Sequence, residues 1–153
     1  KACVSELADM GPGTTFHRLL DERDTKVKHG NANRIVLCSG KVYYDLAAAR
    51  DKASAWDIEI LRIEQLYPFP KNSVREIFAK TPKASIVWCQ EEPKNMGAWN
   101  TVRNYIDRTL EIVNFGDKNV KYVGRKASSS PATGNLNKHL AQQKEILEKI
   151  LKN

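Results

Sequence analysis

Ser85-Ile86-Val87-Trp88-Cys89-Gln90-Glu91-Glu92-Pro93-Lys94-Asn95-Met96-Gly97-Ala98-Trp99 is the stretch that decides the fold. It opens as a short apolar run with β-branched and aromatic side chains, which predicts a buried strand. Within two residues it changes to carboxylates, a proline and a lysine. Pro93 and Gly97 predict a turn there. An amphipathic pattern starts near Ala98. In an open α/β sheet, ligands and partner surfaces meet the fold at the carboxyl ends of strands. The dense polar string therefore sits at the edge where function is expected.

Working outward, the same alternation repeats. Ile35-Val36-Leu37-Cys38 predicts a strand, Ser39-Gly40 a turn, and residues 41–53 a helix carrying Val42, Tyr43, Leu46, Ala47 and Ala49. Ile58-Glu59-Ile60-Leu61-Arg62-Ile63 alternates apolar and polar residues, which predicts a half-buried strand. Tyr67-Pro68-Phe69-Pro70 ends it rigidly. Pro70 suits the first turn of a short helix with Val74, Ile77 and Phe78 on one face. Residues 98–113 predict a helix with Val102, Ile106 and Leu110 spaced by four. Val120-Lys121-Tyr122-Val123 predicts a fourth strand. Residues 135–151 predict a last helix with Leu136, Leu140, Leu147 and Leu151 along one side. Strands alternating with helices imply an α/β domain whose mainly parallel sheet is covered on both faces. Residues 1–33 read as an irregular N-terminal linker, with Gly11-Pro12-Gly13 as a breaker, residues 14–20 extended and residues 21–33 a loop. Residues 34–153 read as the domain.

The chain has 153 residues, which suits one domain, and can close a core without disulfides or metal. No run of about 18 apolar residues is present, so no membrane span is expected, and no signal peptide is visible. Cys38 and Cys89 fall in predicted strands and Cys3 stands apart, a pattern of core thiols rather than a disulfide framework. The net charge is +7, but 25 basic residues are offset by 18 acidic ones. Lys144, Lys149 and Lys152 interleave with Glu145 and Glu148, as on a solvated helix face. With no arginine-rich arm and no recognition motif, nucleic acid is not an expected partner.

Three clusters carry chemistry. Ser39-Gly40-Lys41 joins a strand to a helix, where free backbone N–H groups and a positive dipole end suit a phosphate or carboxylate. It lacks both phosphate-loop fingerprints, and a tight turn with a solvent lysine is the plainer reading. Glu91 and Glu92 look like an acid–base pair, but neighbours on an extended chain point opposite ways. An ion-paired loop with Lys94 as partner fits better. Trp99 reads as a core or interface anchor. Ala127-Ser128-Ser129-Ser130-Pro131-Ala132-Thr133-Gly134 is a hydroxyl-rich loop that either caps the last helix or binds an anion or another chain. His17, His29 and His139 lack metal-ligand spacing, so no metal site is expected. A stand-alone nucleotide-binding or flavodoxin-like module is the alternative from another class, and it would need a longer phosphate loop after the first strand.

Leu37-Cys38-Ser39-Gly40-Lys41-Val42-Tyr43-Tyr44-Asp45-Leu46, Arg62-Ile63-Glu64-Gln65-Leu66-Tyr67-Pro68-Phe69-Pro70 and the string from Gln90 to Trp99 together resemble the carboxy-terminal region of 2-oxoglutarate dehydrogenase. Tyr122-Val123-Gly124-Arg125-Lys126-Ala127-Ser128-Ser129-Ser130-Pro131-Ala132-Thr133-Gly134 continues the similarity. A weaker form of the pattern is shared by transketolase-like enzymes. The resemblance implies a three-layer α/β/α sandwich with a five-stranded mixed sheet, one strand antiparallel; four strands are read above, so residues 14–20 are a candidate for the fifth. It implies a parent enzyme that decarboxylates 2-oxoglutarate on thiamine diphosphate with magnesium, both bound by other domains. The parent passes the succinyl group to a dihydrolipoyl succinyltransferase. Its place would be the cytoplasm of a bacterium or the mitochondrial matrix of a eukaryote. This chain would hold no catalytic, cofactor-binding or metal-binding residue of its own. Its expected roles are dimer assembly with the rest of the parent and a second subunit, shaping of the active-site approach, and effector binding. Expected interface residues are Glu91, Glu92, Pro93, Lys94, Asn95, Met96, Trp99, Ser128, Ser129 and Ser130. Ser39, Gly40 and Lys41 are the expected effector contacts, since some family members respond to adenine-containing effectors near this domain.

Overall fold

Strands buried on both faces carry unbroken apolar runs, because helices cover each side of a parallel sheet. In the computed structural model, which describes residues 3–27 and 30–152, Ile35, Val36, Leu37 and Cys38 are all fully buried. They lie in β2 (Arg34–Cys38). The chain before it holds a short 3₁₀ turn (Leu7–Met10) and β1 (Leu19–Leu20). After β2 come α1 (Val42–Ala53), β3 (Ile58–Ile63), α2 (Lys71–Lys80), β4 (Ser85–Pro93), α3 (Trp99–Ile112), β5 (Lys121–Arg125) and α4 (Leu136–Leu151). The five strands form one sheet in the order β1-β3-β2-β4-β5. Among the described residues, β1 is the one strand that runs antiparallel to its neighbour.

The pleat sorts the strand residues into two cores. Ile35, Leu37, Leu61, Ile63, Ile86 and Trp88 face α2 and α3, where Val74, Phe78, Val102, Ile106 and Leu110 complete one cluster. Val36, Cys38, Ile58, Ile60, Val87 and Cys89 face α1 and α4, meeting Val42, Leu46, Ile146 and Ile150. This is the three-layer α/β/α sandwich.

Several expectations change in the structure. The extended segment at residues 14–20 shortens to Leu19 and Leu20, paired with Ile63 and Arg62. β3 does not alternate in burial, since Glu59 is as buried as its apolar neighbours; the strand lies between β1 and β2 and has no solvent face. β4 does not stop at the carboxylates but continues through Pro93, with an irregularity between Cys89 and Pro93 where it pairs with β5. A bulge absorbs the polar residues without ending the strand. The buried stripe of α4 is Ile146 and Ile150, while Leu136 and Leu140 are 70% and 56% exposed. The reason is where α4 lies. His139 meets Arg125 at the end of β5, Gln143 meets Asp45 at the start of α1, and Ile150 and Lys152 meet Arg34 at the start of β2. The helix runs antiparallel to the central strands, and its first turn overhangs the sheet. Arg34 donates to the carbonyls of Ile150 and Lys152, a cation at the negative end of a helix.

Residues 21–27 join the body through a buried ion pair that the pattern of the sequence does not signal. Arg50 Nη1 lies 2.5 Å from Glu22 Oε2, with side chains only 4% and 1% exposed. The same carboxylate accepts from the Ile60 amide at 2.8 Å. His29 lies outside the described residues.

Candidate functional site

β2 leads through α1 to β3 on one side, and β3 leads through α2 across to β4 on the other. The strand order reverses between β2 and β4, and such a switch point leaves a crevice at the carboxyl ends. A cavity of about 400 Å³ lies there, lined by Ser39 and Gly40 from the end of β2, Trp88, Gln90 and Glu92 from β4, and Gly97. Two clusters that are 50 residues apart in sequence meet here. Lys41 Nζ donates to Glu91 Oε1 at 2.6 Å. That bond is the main cause of the upward shift of the lysine, with burial opposing it. The partner of Glu91 is thus Lys41, not Lys94. Residue 91 of the extended strand faces the start of α1, whereas Lys94 lies past its end with Nζ 5.4 Å from the Tyr122 ring. Lys41 is neither a loose solvent lysine nor a free cation, although its side chain is 70% exposed.

Gln90 organises the segment that follows. Its Oε1 accepts from Trp88 Nε1 at 2.9 Å and from the Trp99 amide at 3.0 Å. Its Nε2 donates to the carbonyls of Met96 at 2.7 Å and Pro93 at 3.2 Å. One buried amide thereby ties strand, turn and helix start together, satisfying groups that would be costly unpaired. Gly97 is needed beside it. Its φ is +66°, and a Cβ there would come 2.9 Å from Gln90 Nε2. Sequence reasoning missed Gln90. The available signal was a glutamine between a buried strand tryptophan and a helix-start tryptophan, both needing hydrogen-bond partners.

Tyr122 closes the far side. Its ring lies 5.1 Å from that of Trp99, and its hydroxyl donates to Arg125 O at 2.9 Å. Burial pushes that phenol up to about 12. Burial likewise pushes the Cys89 thiol up to about 12 and raises Cys38 further, so neither is a nucleophile near neutral pH.

The other sequence-predicted residues divide by burial. Pro93 and Trp99 are buried, Trp99 inside the α2–α3 core. Glu92, Lys94 and Asn95 are exposed, as are Ser128, Ser129 and Ser130, while Glu91 and Met96 are half-buried. The structure joins these two loops. Asn95 Nδ2 donates to Ser128 O at 2.9 Å, and the Ser128 amide returns to Asn95 Oδ1 at 3.0 Å. The cap of α4 is Asn135, whose side chain accepts from the Lys138 amide at 3.0 Å, not a serine of the loop. Among the described residues, no three His, Cys, Asp or Glu side chains come together as a metal-ligand set. No helix there is long and apolar enough to cross a membrane.

Comparison with known proteins follows the same outline. Residues 4–151 match the family model described as 2-oxoglutarate dehydrogenase C-terminal. The 2-oxoglutarate dehydrogenase E1 component of Brucella ovis is 44% identical over 159 aligned residues, covering 99% of this chain and 16% of that protein. That of Brucella abortus (strain S19) is 45% identical with the same coverage. The chain therefore spans 16% of the length of the curated relatives it matches. Among solved structures, a split gene transketolase, an inactive beta4 tetramer, superposes with a TM-score of 0.56. It is 12% identical and covers 92% of this chain and 43% of that one, which shows a shared fold. On the match across residues 4–151, the chain belongs to the 2-oxoglutarate dehydrogenase C-terminal family.

Proposed function

We propose that this chain works as a non-catalytic assembly domain of a thiamine-diphosphate-dependent 2-oxoglutarate dehydrogenase E1 component. The observation that carries the reading is the 44% identity to E1 components over 99% of the chain. The crevice chemistry agrees with it. The carboxylate that lines the crevice is Glu92; Glu91, next along the strand, is held by Lys41, and Gln90 spends its amide on Trp88, Trp99 and Met96. Among the described residues lining the crevice Glu92 is the one carboxylate and none is a cation, a poor match to a magnesium diphosphate, whose phosphates need positive partners as well as the metal its carboxylates. The cofactor belongs, on this reading, to residues outside this chain.

What the domain contributes is surface. Glu92, Lys94 and Asn95 with Ser128 to Ser130 form a polar rim stapled by the Asn95–Ser128 pair. Val4, Leu7, Met10 and Phe16 are 78%, 87%, 69% and 68% exposed. An apolar segment this open suits cover by the rest of the parent chain or a second subunit. A dihydrolipoyl succinyltransferase is the partner that the parent reaction requires. The site of action is the bacterial cytoplasm or the mitochondrial matrix.

Calorimetry of the chain with thiamine diphosphate and magnesium, beside a 2-oxoglutarate decarboxylation assay, tests the reading. No binding and no turnover are expected. Micromolar cofactor binding or measurable turnover by the chain alone overturns it.

A further inference from the structure

A second cavity, of about 180 Å³, lies between the end of β5, the hydroxyl-rich loop and the first turn of α4. Arg125, Lys126 and Lys138 line it, and among the described residues no Asp or Glu does. Among the described residues none of the three cations forms an ion pair. Arg125 Nη2 spends itself on His139 Nδ1 at 2.9 Å, and the nearby Glu145 is bonded to Lys149. Arg125 Nε is a buried donor without a partner, and Gln142 Oε1 is a buried amide oxygen without one. A buried guanidinium N–H left unpaired is costly, so an acceptor beside Arg125 is favoured there. Gln142 can present its NH₂ group instead of its oxygen, since the two amide orientations are interchangeable in shape. Ser128 Oγ accepts from the Ser130 amide at 3.1 Å and keeps its own proton to donate.

Donors without acceptors and cations without anions around one small cavity point to one ligand chemistry. We propose that this cavity binds a phosphate group, held by Arg125, Lys126, Lys138 and the Ser128 hydroxyl. Three positive charges match a phosphate of about −1.5 to −2 better than a single carboxylate. The arginine fork suits its tetrahedral oxygens. The volume is below the roughly 300–1,000 Å³ of pockets that enclose whole drug-sized ligands. It therefore takes the phosphate head and leaves any ester substituent outside. The site is independent of the crevice at β2 and β4 and of the family assignment.

The chain covers both faces of its sheet with its own helices, so it is tested as it stands. Inorganic phosphate is titrated into it at constant ionic strength against sodium chloride, following backbone amide resonances. Glycerol 3-phosphate in a parallel arm decides between a free ion and a phosphate ester. Saturable shifts confined to residues 125–142 are expected with at least one of the two. The exposed pair of changes Lys126→Gln and Lys138→Gln, which touches no core residue, is expected to weaken binding at least about 10-fold with the melting temperature unchanged. Linear shifts matching those of chloride, equal saturation by acetate, or unchanged affinity in the double variant overturn the proposal.

Discussion

The crevice around Gln90 and the segment of residues 3–18 are opposites within one chain. In the crevice a buried amide satisfies four neighbours, and Trp88 and Trp99 are packed on either side of it. In the N-terminal segment, Val4, Leu7, Met10 and Phe16 face solvent, and the 3₁₀ turn buries no residue. The crevice is finished by this chain alone. The segment leaves its apolar side chains largely exposed, along an open cavity that Val4, Met10 and Phe16 share with Tyr43, Tyr44 and Arg62. The sheet edge is thus held by its own hydrogen bonds, while the segment and the polar rim are where the proposed function puts contact with other protein.

The comparison breaks if the crevice tolerates damage. Gln90→Ala leaves Trp88 Nε1 and the Trp99 amide buried without acceptors, at about 1–3 kcal/mol each. Thermal unfolding should fall by about 10 °C, at roughly 2–4 °C per kcal/mol for a chain of this size. A shift under about 2 °C would show that water replaces the amide. Gly97→Ala comes next. A positive φ and a tight approach to Gln90 predict a loss of about 1–3 kcal/mol by denaturant titration.

Alkaline pH probes the same core. The folded Cys89 thiol and Tyr122 phenol titrate near 12, against ordinary values of 9.0 and 10.0. Both shifts are upward, so the unfolded chain loses these protons first as pH rises. The stabilisation is intact below pH 9 and drains away between about 9 and 12. Denaturant midpoints should decline across that window, and the decline should shrink in Cys89→Ala. At pH 8, a thiol reagent should modify the exposed Cys3 quickly and reach Cys38 and Cys89 only after denaturation. The smallest effect belongs to the other side of the comparison. Replacing Val4, Leu7, Met10 and Phe16 together by Ser should change stability by no more than about 0.5 kcal/mol, since exposed positions away from structural features contribute little. A large loss would mean that these side chains stabilise the body across the cavity they share with Tyr43, Tyr44 and Arg62.

What the sequence discloses follows from periodicity. Val102, Ile106 and Leu110, and Val74, Ile77 and Phe78, are legible because each face is set by the spacing of its own helix. β2 and the apolar start of β4 are legible as continuous runs. Long-range pairing is not. Nothing local in Glu22 announces Arg50, nor in Lys41 its bond to Glu91. Leu136 and Leu140 carry the right period for a core face, yet exposure is decided by where the sheet ends beneath them. At the crevice, Ser39 and Gly40 and the polar string after Cys89 were visible as strand-end clusters. That they share one cavity comes from strand order, which alternation alone does not fix.

On the proposed function, this chain is an interchangeable structural part of a 2-oxoglutarate dehydrogenase E1 component. The direct measurement replaces the 16% of the Brucella abortus E1 component that it matches with this chain. Oligomeric state and 2-oxoglutarate-dependent turnover of the chimera are then compared with those of the unmodified enzyme. Assembly as in the parent, with turnover within about 10-fold of it, an allowance of about 1.4 kcal/mol, is the predicted result. A chimera that folds and assembles but turns over no 2-oxoglutarate would overturn that role.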